Sequence, residues 1–319
     1  MNPDVAEAVT ALGRSGTLAP AQVQAFSRVA RRQLVSLHVE LRLLAYLGVL
    51  LVMAGVGVLV RQNLDRIGPL AIATGLALAA VACLLWVAAG APAFTWGEVA
   101  SPHLALDYVL LLGALLVGAD LAYAEATFTT LGHAWPWHLL IVAVLYALLA
   151  FRYDSRVLLS LALSTFAAWR GVSAALLEHA LWRSGEDPVR LNAAGCGLLF
   201  LALGAVLRRR SWKPHFEPVT AHLGWLLLLG AVGSALGTRA GSLSAVILVG
   251  LAGVLAAVSW RQRRFSLMAL AILAAYAGVS ALAVRTLASD LPVFWWFAIT
   301  PLMVVAVLFV AHRYVREPE

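Results

Sequence analysis

Two ionisable residues fall where an apolar run should exclude them. Asp120 lies near the end of the run 104–123, and Arg170 lies inside the run 157–177. A charge in such a run is costly enough to mark a functional or tightly paired position. Glu125 follows Asp120, Glu178 and His179 follow Arg170, and His133 and His138 flank a proline between them. Carboxylates and imidazoles together suit proton relay, and the planar guanidinium of an arginine suits an anionic group. If both runs are helices, Asp120 lies about 24 Å from Leu104 and Arg170 about 20 Å from Val157, in the same direction. Their depths then match within a turn. Two readings follow. In one, Asp120 and Arg170 form an ion pair that fixes how two helices pack. In the other, they line an outward-facing polar cavity with Glu125, His133, His138, Glu178 and His179.

Other chemistry finds less support. His133 and His138 lack the repeating helical geometry of a dedicated zinc site, as does the adjacent Glu178-His179 pair, so no metal is expected. Ser234 and His222 are twelve residues apart in one run, a rise of about 18 Å, so they cannot act as nucleophile and base. No Walker loop, dinucleotide fingerprint or HExxH motif occurs, leaving no catalytic residue to name and no cofactor to expect.

Hydrophobic residues make up 62% of the 319 and charged residues 12%, with a mean hydropathy of +0.88. Soluble domains are about half apolar and a quarter charged. A soluble enzyme, a disordered chain and a disulfide-stapled secreted domain are thereby excluded. Runs near the ~20 residues needed to cross a bilayer occur at 43–60, 70–89, 104–123, 136–151, 157–177, 192–207, 220–237, 243–260, 265–284 and 293–311. The fold class expected is all-α, a polytopic transmembrane bundle of about ten spans. Those at 136–151 and 192–207 are the shortest. The runs are rich in Leu, Ala and Val without strand alternation, against an outer-membrane barrel. Gly233-Ser234-Ala235-Leu236-Gly237 offers the small residues of close helix packing.

With ten spans and a cytoplasmic N-terminus, sixteen Lys and Arg residues fall on the cytoplasmic side and six on the other. That asymmetry places both termini in the cytoplasm. It also explains the basic balance without nucleic acid; the bilayer is the expected partner. Trp135, Trp137, Trp182, Trp295 and Trp296 fall at outer ends, and Trp86, Trp212 and Trp260 at inner ends, as interfacial rings do. Cys83 and Cys196 fall within spans and read as buried small apolar residues, not a disulfide. No cleavable signal peptide is expected, because residues 1–40 contain no suitable apolar run.

Residues 1–40 form the segment outside the bundle of 41–319. Val5 to Leu12 reads as a short helix stopped by Gly13 and Gly16, and Pro20 opens a second carrying Arg28, Arg31 and Arg32. This helical hairpin suits the membrane surface or the docking of a partner protein. Residues 90–103, with Pro92, Trp96 and Pro102, carry no Lys or Arg and are weakly constrained in placement. Thr300-Pro301 predicts a kink with hydroxyl compensation in the last run. Asn63 reads as a helix cap in the first outer turn.

The Gly16, Leu18, Gln22 pattern resembles a family of bacterial predicted membrane proteins, domain-of-unknown-function family 2157. There a helical hairpin precedes a first span of the type Leu-Gly-x-Leu-Leu, here Leu47-Gly48-Val49-Leu50-Leu51, followed by Gly55 and Gly57. An Asn-Trp pair is usual next; this chain has Asn63 and Leu64. The third-span pattern Gly-Ala-Leu-Leu-x-Gly-Ala is matched at Gly113 to Ala119, but Asp120 and Glu125 replace the family's uncharged residue and Gln. The resemblance covers roughly 10–175. It implies a bacterial inner-membrane protein with no assigned activity.

Three functional classes remain. A transporter-like or lipid-handling permease would use the outward polar site. A non-catalytic envelope scaffold or partner-docking subunit would use residues 1–40 and its spans. A membrane enzyme acting on lipid-linked substrates is permitted by the outer acids and histidines, but no constellation demands it. A water-accessible cavity at the Asp120/Arg170 level favours the first or third, and a solid bundle the second.

Overall fold

The computed structural model describes residues 12–13, 19, 23, 38–99, 104–129, 136–171, 187–238, 240–286 and 290–316. Among them the chain is helical, without strands. It divides into two units, residues 1–67 and 68–319.

In the first unit, α1 spans His38–Ile67, about 45 Å of helix and longer than a ~30 Å hydrocarbon core. It runs straight through Asn63, which therefore does not cap it. It ends at Gly68, whose φ of 81° lies in the left-handed region, just before Pro69 bars the preceding residue from helical geometry. Leu43, Leu47, Leu50 and Leu51 are exposed along it. Nearer the N-terminus, the Val23 amide donates to the Ala19 carbonyl at 3.0 Å. The rest of the hairpin expected over 1–40 lies outside the described residues.

The second unit contains α2 (Pro69–Gly90), α3 (Leu104–Phe128), α4 (Trp137–Tyr153), α5 (Arg156–Trp169), α6 (Asp187–Arg210), α7 (Glu217–Gly233), α8 (Gly241–Gln262), α9 (Phe265–Thr286) and α10 (Asp290–Arg316). A 3-10 turn, Pro214–Phe216, precedes α7. Every one of the ten apolar runs thus has its helix. Among the described residues, seven are long and apolar enough to cross a membrane, while Leu43–Leu59 of α1, Trp137–Tyr153 and Arg156–Trp169 are shorter apolar stretches.

Two runs end early. α5 was expected to continue to 177, but it stops at Trp169. Gly171 takes a φ of 79° and its amide donates to the Ala168 carbonyl at 2.9 Å, a glycine-terminated helix end. α7 stops at Gly233, and residues 234–237 form turns, bonded through Ala235 to Val232 and Leu236 to Gly233. The glycines of the Gly233–Gly237 stretch do not bring helices together, since a Cβ added at either meets nothing within 4 Å, while Leu236 between them packs on the core.

Consecutive helices pair as hairpins, α2 with α3, α4 with α5, α6 with α7 and α8 with α9. Close approach occurs at other glycines. A Cβ on Gly197 of α6 would lie 2.8 Å from the Gly224 carbonyl oxygen of α7, and one on Gly224 would lie 2.9 Å from the Gly197 oxygen. The two backbones touch because both side chains are absent, the packing logic of lipid-embedded helices. Ala221, Leu229, Leu248, Leu255, Leu267 and Ala271 form a core shared by α7, α8 and α9. Outside it, apolar residues face outward in numbers that water does not tolerate. Leu70 and Leu302 are each 72% exposed, and none of the apolar window of α10 is buried. Within α10 the Thr300 hydroxyl donates to the Trp296 carbonyl at 2.7 Å, whereas the carbonyl that Pro301 leaves without its amide is that of Phe297, so this bond is not the compensation expected. Cys83 and Cys196 are free thiols.

Candidate functional site

The buried charges converge on one end of the second unit. Four connections meet there: the strap 91–99 after α2, the α4–α5 turn, the α6–α7 connection and the α8–α9 turn. Their contacts prove the shared end.

Asp154, in the α4–α5 turn, adopts the left-handed conformation with φ 57°, which an Asp side chain tolerates better than most. The next residue, Ser155, caps α5 by accepting from the Leu158 amide at 3.3 Å. Asp154 is thereby held between two helices with its carboxylate aimed at the α6–α7 connection. There Lys213, also left-handed at φ 45°, donates from Nζ to Asp154 Oδ2 at 2.7 Å. The lysine side chain is fully buried and the carboxylate nearly so. His215 Nε2 lies 3.2 Å from Asp154 Oδ1, without the alignment of a hydrogen bond. The ammonium also sits 4.8 Å from the centre of the Phe94 ring.

The strap closes this cluster. The Lys213 amide donates to the Trp96 carbonyl at 2.9 Å, and Trp96 stacks on Trp212 with ring centres 5.0 Å apart. Arg152 Nη1 donates to the Pro92 carbonyl at 3.2 Å, and Arg156 Nη2 to Glu98 Oε1 at 2.8 Å. A cavity of about 20 Å³ beside Asp154, lined by Pro92, Val99, Leu106 and Tyr153 among others, has room for about one water.

A second pair lies beside the first. Glu217, at the start of α7, accepts from Arg264 Nη2 of the α8–α9 turn. The carboxylate is largely buried and the guanidinium partly so. Glu217 also borders a cavity of about 120 Å³ with Arg208, Trp225 and Gln262. His222 links the same helices. Its Nδ1 donates to the Pro218 carbonyl at 2.6 Å, and its Nε2 shares a hydrogen bond of 2.7 Å with the Ser266 hydroxyl. Ser234, by contrast, donates to the Ala231 carbonyl at 2.8 Å and has nothing to do with His222.

The residues singled out by sequence lie toward the opposite end. Arg170 follows the last helical residue of α5 instead of lying within a longer helix, and it is exposed. Its Nη2 donates to Asn192 Oδ1 of α6 at 2.7 Å, and Asn192 Nδ2 donates back to the Arg170 carbonyl at 2.9 Å. Asp120 is not its partner: Asp120 Oδ1 is buried without a hydrogen bond, as is the Tyr123 hydroxyl one turn on. Glu125 lies in the last turn of α3, and its carbonyl accepts from the Thr129 amide at 2.9 Å. His138 is half-buried in the first turn of α4. His133, Glu178 and His179 lie outside the described residues, as does the side chain of Asn63. Among the described residues, no group of three or more His, Cys, Asp or Glu side chains is placed to hold a metal ion.

Asp154, Lys213, His215, Glu217 and Arg264 were missed by sequence reasoning because they fall in connections, where charges look solvated. One signal was available: Lys213 is the only lysine among 23 basic residues.

Residues 11–159 match the model of a family described as predicted membrane protein, DUF2157. This is the family that the glycine and leucine motifs resemble, and the protein is a membrane protein with multiple apolar helices. The match includes Asp120 and Asp154 but ends before Arg170 and Lys213. No curated protein and no solved structure matches the chain.

Proposed function

We propose that this protein is a non-catalytic scaffold of the bacterial inner membrane, with both termini in the cytoplasm and residues 1–40 available to a partner protein. One observation carries the reading. The charges Asp154, Lys213, Glu217 and the partly buried Arg264 are used against one another to tie three helix connections together, and the Lys213 amide fastens the strap to them. Charges that served a moving substrate would face a path; these face each other. Arg152, Arg156, Arg208, Arg209 and Arg210 at helix ends and Lys213 in a connection all lie at this end, which supports its cytoplasmic placement by the positive-inside rule.

A permease is the second reading, favoured by the unpartnered Asp120 Oδ1 and Tyr123 hydroxyl in α3. Intramembrane carboxylates mark proton-coupled pathways. Purified protein reconstituted in vesicles enclosing a pH-sensitive dye separates the two. The scaffold conducts no protons beyond protein-free vesicles under an imposed pH gradient, and cross-linking in native membranes traps it in one discrete larger assembly. A proton flux abolished by Asp120→Asn overturns the scaffold.

A further inference from the structure

We propose that Arg170 and the groove between α4, α5 and α6 bind a single phospholipid, its phosphate at the guanidinium and one acyl chain in the groove. The groove has a volume of about 250 Å³ and a wholly apolar lining that includes Val144, Ala147, Leu163, Phe166 and Phe200. From Leu140 to Ala147 it follows about 10 Å of α4, roughly a third of a ~30 Å hydrocarbon core. An aromatic path leads out of it. Phe200 packs on Phe166 with ring centres 6.2 Å apart, and Phe166 on Trp169 at 5.4 Å. The Arg170 guanidinium lies 5.6 Å from the Trp169 ring centre.

Charge complementarity selects the occupant. Held by Asn192 at Nη2 and by the Trp169 ring, Arg170 is fixed in direction, and among the described residues Asn192 takes only one of its five N–H donors. Among the described residues no carboxylate pairs with Arg170, so its charge is open to an anion. A phosphodiester fits it in the bidentate geometry that arginine prefers, and the chain attached to it packs against the apolar wall of the groove. With the cytoplasmic end as proposed above, the lipid belongs to the outer leaflet; the binding site itself stands whether or not the protein is a scaffold.

Native mass spectrometry of the full chain in detergent, titrated with phosphatidylglycerol, tests this. Wild type holds one lipid, and Arg170→Gln weakens that binding about tenfold, the worth of one charge-assisted hydrogen bond. Val144→Trp, on an exposed part of the groove wall, fills the groove without touching Arg170 and also expels the lipid. Glycerol phosphate, which has the headgroup chemistry without the chain, does not displace phosphatidylglycerol. Undiminished lipid binding in a monodisperse Val144→Trp protein overturns the proposal, even if Arg170→Gln fails to fold. So does displacement by glycerol phosphate as effective as by phosphatidylglycerol itself.

Discussion

Lys213 Nζ and Asp154 Oδ2 are 2.7 Å apart across 59 residues of sequence, and Lys213 is the chain's only lysine. The pair joins the α4–α5 turn to the α6–α7 connection under a strap whose Trp96 carbonyl accepts from the Lys213 amide. Taking two charges out of water is costly, so the pair's net worth is small compared with the cost of breaking it. Lys213→Met leaves a buried carboxylate unpaired and is expected to cost about 3–5 kcal/mol. Adding Asp154→Asn, which keeps a residue tolerant of the left-handed backbone, recovers part of that loss. Denaturant titration of the two single variants and the double variant in detergent measures the coupling. Strictly additive losses show that the pair is not an energetic unit.

Arg264→Ala is a parallel case in α8–α9. It strands Glu217, whose side chain is nearly buried, with an expected loss of about 3 kcal/mol. Glu217→Gln in the same chain restores most of it, read as a recovered melting temperature.

Helix packing is tested at glycine. Gly224→Ala places a methyl group 2.8 Å from Leu201 Cγ and 2.9 Å from the Gly197 oxygen, forcing α6 and α7 apart at about 1–3 kcal/mol. Gly250→Ala, in α8 with nothing within 4 Å of its added Cβ, is expected to be neutral or to stabilise by up to about 1 kcal/mol. Equal effects at the two positions contradict the packing described.

Asp120 and Arg170 supply a negative expectation. Arg170 is engaged by Asn192, and Asp120 Oδ1 has no partner. The stability changes of Asp120→Ala and Arg170→Ala should therefore add in the double variant within about 0.5 kcal/mol. A coupling above that restores the ion pair inferred from depth alone.

Cysteine labelling checks sidedness. In a Cys83→Ala, Cys196→Ala background, Glu98→Cys and Arg210→Cys are modified from one face of the membrane and Ala240→Cys from the other. Accessibility of all three from one face contradicts the hairpin alternation.

The sequence alone determined the solvent and the elements. Transfer free energy is nearly additive along the chain, so apolar runs predict helices, and each of the ten runs coincides with one. Glycine, proline and short apolar stretches also set most helix ends, although Gly171 stopped α5 where hydropathy continued. Partner choice was not legible. Matching Asp120 with Arg170 by depth used one coordinate of three; rotation about each helix axis and the neighbour order of hairpins give Arg170 to Asn192. The buried pairs Lys213–Asp154 and Arg264–Glu217 escaped for the same reason. A charge in a connection looks solvated in sequence, and only the folding of four connections onto one end removes its water and supplies its counterion.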